Sequence, residues 1–217
     1  QHAVERVRQL FAYALGYPLS PGLGDYGLDP GYFSGGGAPR PYVLFLHGTT
    51  WASKHWPELY WRRLAELVTE RGYDVRLPWG NPVEKARAER IADGLESVQV
   101  LPPMQLAGVA RIIAGSRACV AVDTGLGHLA AALDVPGISL FGPTNAGFTG
   151  AYGAAQIHLA SDFPCAPCMQ KRCVYTPTPA DARAFDLHRE QPLCFTRLPP
   201  ERVMTQLEGL LANERVL

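Results

Sequence analysis

The chain has 217 residues, 47% of them hydrophobic and 18% charged, with twenty basic residues against twenty acidic ones. This length allows one domain with appendages, and no apolar run approaches the ~20 residues needed to span a bilayer as a helix. A formal net charge of zero excludes the broad basic field of a nucleic-acid binder, so any phosphate site must be local. The chain opens Gln1-His2-Ala3 without the basic and apolar regions of a signal peptide. Val4, Val7, Leu10, Phe11 and Ala14 follow at helical spacing, as though the chain began inside a helix of something larger whose N-terminal part is missing. From Gly16 to Pro41 glycine and proline dominate, which describes a linker. A boundary near Ala38 would divide the chain into an interdomain helix and linker, 1–38, and a folded domain, 39–217.

After that boundary apolar runs alternate with amphipathic segments. Strands are predicted at Tyr42 to Leu46, Asp74 to Leu77, Val98 to Leu101, Ala118 to Val122 and Gly137 to Phe141. Helices are predicted near Pro57 to Arg71, Val83 to Asp93, Leu106 to Ala114 and Leu126 to Leu133, with a closing helix at Pro199 to Leu211. The alternation describes an α/β, Rossmann-like fold with about five parallel strands covered on both faces. Ligands of such sheets sit beyond the carboxyl ends of the strands, which selects five loops for scrutiny.

The loop after the fourth strand, Asp123-Thr124-Gly125-Leu126-Gly127-His128, is the most informative. It runs from an apolar strand into a helix, where unpaired N–H groups and a partial positive charge suit phosphate. Gly125 and Gly127 let a ligand approach the backbone, Thr124 adds a hydroxyl and His128 a titratable ring. The loop after the first strand offers Thr49, Thr50, Ser53 and Lys54, hydroxyls and an ammonium suited to phosphate oxygens, although Thr and Ser before a helix are commonly caps. Glu84, after the second strand, stands where an acidic residue accepts hydrogen bonds from a ribose, or equally complements a helix dipole. Asp123 read alone could be a capping residue and His128 a hydrogen-bonded core histidine. Trp51, Trp56, Trp79 and Tyr152 could line a cleft or simply pack. The dinucleotide fingerprint, the Walker A loop and the Gly-x-Ser-x-Gly elbow are absent, which disfavours a plain NAD or FAD enzyme and an α/β-hydrolase.

Four segments together resemble a known family, the ADP-heptose lipopolysaccharide heptosyltransferases, on the heptosyltransferase I side. They are Thr49-Thr50-Trp51-Ala52-Ser53-Lys54-His55-Trp56-Pro57, Leu77-Pro78-Trp79-Gly80, Val122-Asp123-Thr124-Gly125-Leu126-Gly127-His128-Leu129 and Gly142-Pro143-Thr144. They occur in the family's order and spacing, and the likeness runs from the opening helix to about Gly153. It implies the C-terminal, donor-binding domain of a two-domain GT-B glycosyltransferase. Thr49, Thr50, Lys54, Asp123, Thr124, Gly125 and His128 would surround the diphosphate and heptose of ADP-heptose, Glu84 would take the ribose and Met104 would lie beside the adenine.

The resemblance further implies inverting, metal-independent transfer of heptose to the Kdo-lipid A inner core at the cytoplasmic face of the bacterial inner membrane. Lys54 would stabilise the departing ADP, and the general base, an Asp, would lie in the missing N-terminal domain, which would also carry the acceptor and any peripheral membrane contact. This chain alone would then bind donor and transfer sugar poorly or not at all. A second reading, from another functional class, is a non-catalytic nucleotide-sugar-binding module that acts with another subunit.

Cys165, Cys168, Cys173 and Cys194 depart from heptosyltransferase I, and the Cys-x-x-Cys segment looks more like other subfamilies, heptosyltransferase II among them. The first pair has metal-ligand spacing, so the four thiols could surround a structural zinc. Because the second pair lacks close spacing, reduced and buried cysteines are the simpler expectation.

Overall fold

The computed structural model describes residues 1–33, 40–184 and 192–212. The predicted boundary at Ala38, with Gly35 to Gly37 and Pro39 of the linker, lies outside them. Helix α1 (Ala3–Leu15) begins with the His2 ring accepting from the Val4 N–H and ends at Gly16, whose positive φ of 69° is left-handed. It is tied to the rest of the chain at one end. Tyr152 donates to Glu5, and Arg8 pairs with Glu5 at 2.9 Å while reaching the Ser20 and Gly22 carbonyls. Val7, Leu10 and Phe11 nevertheless stay more than half exposed.

The sheet follows from apolar runs separated by amphipathic helices. In chain order come β1 (Tyr42–Leu46), α2 (Glu58–Glu70), β2 (Asp74–Leu77), α3 (Pro82–Ala92), β3 (Val98–Val100), α4 (Leu106–Ala114), β4 (Ala118–Val122), α5 (Gly125–Ala132) and β5 (Gly137–Phe141). After these come α6 (Ala146–Thr149), β6 (Gln156–Ala160), α7 (Pro179–Ala184) and α8 (Pro200–Ala212). The six strands are all parallel, in the order β3-β2-β1-β4-β5-β6. The sequence expectation stopped at β5. Residues Gln156-Ile157-His158-Leu159-Ala160 form an edge strand with only Leu159 buried, so its polar residues broke the pattern of continuous apolar runs that marked the inner strands.

Every residue of β1, β4 and β5 is buried, and successive side chains alternate between two cores. Val43, Phe45, Val120 and Val122 pack with α2, α3 and α8 on one face, through Trp61, Leu64, Ile91 and Leu207 among others. Tyr42, Leu44, Leu46, Cys119 and Ala121 face α4 and α5, against Ile113, Ala130 and Leu133. Each fully buried large apolar side chain contributes about 1.5–3 kcal/mol. Trp56 belongs to the first core, with its ring 4.9 Å from that of Trp61 and its Nε1 donating to the Leu198 carbonyl at 3.0 Å. It is a packing residue, which answers the alternative left open by the sequence.

Candidate functional site

The order of the sheet reverses between β1 and β4, and a parallel sheet splays its loops apart there to leave a crevice. A cleft of about 610 Å³ lies at that point. Thr49, Thr50, Lys54, Glu84, Met104, Asp123, Thr124, Gly125 and His128, all nine donor-site candidates from the sequence, line it.

At its centre Lys54 Nζ lies 2.7 Å from Asp123 Oδ2, with the two side chains 16% and 9% exposed. Thr144 donates to the same carboxylate oxygen at 2.8 Å, and Thr49 Oγ1 donates to the Asp123 carbonyl at 3.3 Å. Lys54 Nζ also sits 4.4 Å from the Trp51 ring centroid. The ammonium is thus held on one side by a carboxylate and on another by an aromatic face. Asp123 does not cap α5. The cap position belongs to Thr124, in extended conformation, and its hydroxyl makes no capping bond. A Cβ at Gly125 would meet nothing within 4 Å. A Cβ at Gly127 would touch Ala121 at 3.4 Å and Ser139 at 3.6 Å, ordinary contact distances, and this buried glycine is not among the residues that line the cleft, so it faces the sheet, where the sequence expectation gave it to ligand approach. His128 is half-buried; burial lowers its pKa, which the charge of Asp123 opposes.

The other end of the cleft is built on α3. Asn81 caps this helix by accepting from the Glu84 N–H at 3.0 Å, and Pro82 follows in its first turn. The Glu84 carboxylate turns back to accept from the Gly80 N–H at 2.8 Å. A Cβ at Gly48 would stand 2.8 Å from that carboxyl group, so the glycine lets the β1 loop pass against Glu84. Met104 rests over the start of α4, where Leu106 and Val109 add an apolar wall. Trp79 also lines the cleft while donating to the Leu101 carbonyl at 2.7 Å. Tyr152 is engaged with α1 and is not among the lining residues.

Three features went unforeseen. Thr144 was within a scrutinised loop, but only folding brings its hydroxyl to Asp123. His47, at the end of β1, is 1% exposed with neither ring nitrogen hydrogen-bonded, and burial, then the charge of Arg87, pushes its pKa down to about 4. Beside it Arg87 Nη1 donates to His55 Nδ1 at 2.7 Å; burial and that guanidinium lower His55 to about 4 as well. Glu58 binds Arg90 through two contacts of 2.7 Å, and Arg87 approaches it at 3.5 Å, which joins the first turn of α2 to the middle and last turn of α3.

Cys165, Cys168, Cys173 and Cys194 line a separate small cavity of about 10 Å³, together with Ser53 and Pro143. All are free thiols, and burial among the other three pushes Cys194 up to about 12. As the side chains stand, no group of three His, Cys, Asp or Glu among the described residues is arranged to hold an ion.

A parallel sheet in this order, covered on both faces and carrying a polar cleft at its switch point, defines a Rossmann-like ligand-binding domain of the kind found in GT-B glycosyltransferases. The profile of glycosyltransferase family 9 (heptosyltransferase) matches residues 1–178. Lipopolysaccharide heptosyltransferase 1 of Pseudomonas aeruginosa is 66% identical over 217 residues, which are all of this chain and 61% of that protein. The Salmonella typhimurium protein of the same name is 51% identical over 162 residues, 74% of this chain and 51% of its own. Among solved structures, Escherichia coli heptosyltransferase WaaC with ADP superposes with a TM-score of 0.76 at 39% identity, covering 97% of this chain and 57% of WaaC. WaaC with ADP-2-deoxy-2-fluoro heptose gives 0.71 at 38%, over 96% and 56%. The chain belongs to glycosyltransferase family 9, the heptosyltransferases. It spans between half and two thirds of the length of these relatives. No described helix is long and apolar enough to cross a membrane.

Proposed function

We propose that this chain is the donor-binding half of a heptosyltransferase that moves heptose from ADP-heptose to the Kdo-lipid A inner core of lipopolysaccharide, with inversion and without a catalytic metal. One observation carries the reading: the buried Lys54–Asp123 pair lies in a cleft shared with the start of α5 and with Glu84. Diphosphate oxygens meet the Thr49 and Thr50 hydroxyls, Lys54 and the N–H groups at Thr124 and Gly125, where the helix adds its partial positive charge. The ribose hydroxyls hydrogen-bond to Glu84, and the adenine lies against Met104 and its apolar neighbours. Asp123 and His128 orient the sugar.

As the glycosidic bond breaks, negative charge grows on the departing ADP, and Lys54 with the helix terminus stabilises it without reorganisation. The acceptor hydroxyl attacks the anomeric carbon from the opposite face. Its proton goes to an Asp of a preceding N-terminal domain that also binds the acceptor and meets the cytoplasmic face of the inner membrane. The exposed apolar side chains of α1 support a place for residues 1–38 between the two domains.

Calorimetry of this chain with ADP, ADP-heptose and a UDP-sugar tests the donor site. Binding of both adenine ligands and not of the UDP-sugar is expected, and equal affinity for all three would overturn it. Near-normal heptose transfer by the chain alone would overturn the placement of the base in another domain.

A further inference from the structure

After β6 the chain leaves the carboxyl end of the sheet in a loop, residues 161–175, that contains no helix or strand. Its base is closed by Phe163, which is buried in the first core and meets Tyr175 edge to face, with ring centroids 5.1 Å apart. Its tip turns back to the two loops on either side of Asp123. There three consecutive residues act through main-chain atoms. The Met169 N–H donates to the Pro143 carbonyl at 2.8 Å. The Lys171 carbonyl accepts from the Ser53 N–H at 3.2 Å, and the Gln170 carbonyl accepts from the Ser53 hydroxyl at 2.5 Å.

What these bonds hold is specific. Ser53 precedes Lys54, and Pro143 precedes Thr144. Lys54 Nζ and Thr144 Oγ1 are the two side-chain groups that meet Asp123 Oδ2, at 2.7 and 2.8 Å. The tip therefore holds each partner of the carboxylate from one residue upstream. Ser53 is 2% exposed, so its hydroxyl depends on the Gln170 carbonyl for a partner. Met169 has a φ of 56°, the left-handed region that a residue with a Cβ resists, and it keeps that conformation where the surrounding bonds impose it. Neither Ser53 nor residues 169–171 line the donor cleft, so their effect on a ligand passes through Lys54 and Thr144.

We propose that Ser53 and residues 169–171 form a positioning clamp for the Lys54–Asp123–Thr144 cluster, which fixes the ammonium in the donor cleft without touching the ligand. Lysine carries its charge on a flexible four-carbon stem, so its place depends on where the main chain starts that stem. A loop already held in place leaves less to be ordered when the diphosphate arrives, and a small displacement of such a group is costly even when its cause lies away from the ligand. The inference rests on the donor reading of the cleft, in which Lys54 meets the diphosphate.

The test is calorimetry with ADP on a double-mutant cycle. Ser53→Ala should weaken ADP binding severalfold in the wild-type background and by less than about twofold in Lys54→Ala, because it acts through that lysine. Equal losses in the two backgrounds are the mark of a general loosening of the fold and overturn the clamp. An affinity that falls in Lys54→Ala but not in Ser53→Ala overturns the clamp alone, whereas one unchanged in Lys54→Ala overturns the donor reading and the clamp's role with it. Met169 gives a second measurement that needs no buried substitution, since its side chain is exposed. Met169→Gly, which takes a positive φ freely, should keep ADP affinity within about twofold of wild type, and Met169→Ile, whose branched Cβ resists it, should lose severalfold. The same affinity in both variants, or the reverse order, overturns the clamp.

Discussion

Lys54 and Asp123 meet at 2.7 Å although they leave the sheet from different strands, β1 and β4, and the pair is largely shielded from water. Each partner fixes the other's direction, so neither is a free surface group. Truncating one leaves a buried charge unmatched. Lys54→Ala and Asp123→Ala should each weaken ADP-heptose binding by tenfold or more, and the double variant should lose less than the sum of the two. A coupling of about 0.5–3 kcal/mol is expected from a double-mutant cycle by calorimetry. Strict additivity would show that the pair does not act as a unit.

Thr144 donates to the Asp123 oxygen that also faces Lys54. Thr144→Val removes that donor while keeping the shape. If Asp123 orients the sugar, affinity for ADP-heptose should fall severalfold while affinity for ADP changes little. Equal losses for the two ligands would move Asp123 to the diphosphate.

Gly125 has open space where a Cβ would project, and it lines the cleft. Gly125→Val should leave the thermal midpoint within a few degrees of wild type and reduce ADP binding by at least tenfold, because the added methyl groups occupy the approach to the helix N-terminus. Gly48→Ala should differ in kind. Its Cβ would displace the Glu84 carboxyl group, the far end of a flexible half-buried side chain, so the thermal midpoint should change little and ADP binding should fall through the loss of Glu84 and not through the helix N-terminus.

His47 and His55 both have folded-state pKa values lowered from 6.5 to about 4. Between these limits the unfolded chain binds more protons than the folded one, so stability is full above pH 6.5 and declines as pH falls toward 4. Urea midpoints at pH 7.5, 6 and 5 should decrease in that order, and His47→Gln should flatten the slope. A loss of about 1–3 kcal/mol across the window is the scale expected for the more buried His47. An unchanged slope in the variant would remove His47 as its source.

Much of the fold was legible because inner parallel strands are apolar on both sides. Tyr42 to Leu46, Ala118 to Val122 and Gly137 to Phe141 appear in the structure with the predicted bounds. β6 was missed because an edge strand keeps one side wet and therefore polar. The nine cleft residues could be found from their loops because ligands of such a sheet collect at the strand ends. Local reading could not separate Gly125 from Gly127, which have the same side chain and lie in the same helix. Only folding turns Gly127 toward Ala121 and Ser139 and leaves Gly125 facing open space.

The sequence by itself determined the α/β rhythm, the family and the loops in which the polar residues lie, since periodicity and motif spacing are properties of neighbours along the chain. The tertiary structure decided which of those residues meet. Strand order sets the ends of β1 and β5 on either side of the end of β4, which gives Asp123 both Lys54 from the β1 loop and the Thr144 donor from the β5 loop. Such pairings depend on distance through space, which short-range polar contacts and burial require and which the order of residues does not encode locally.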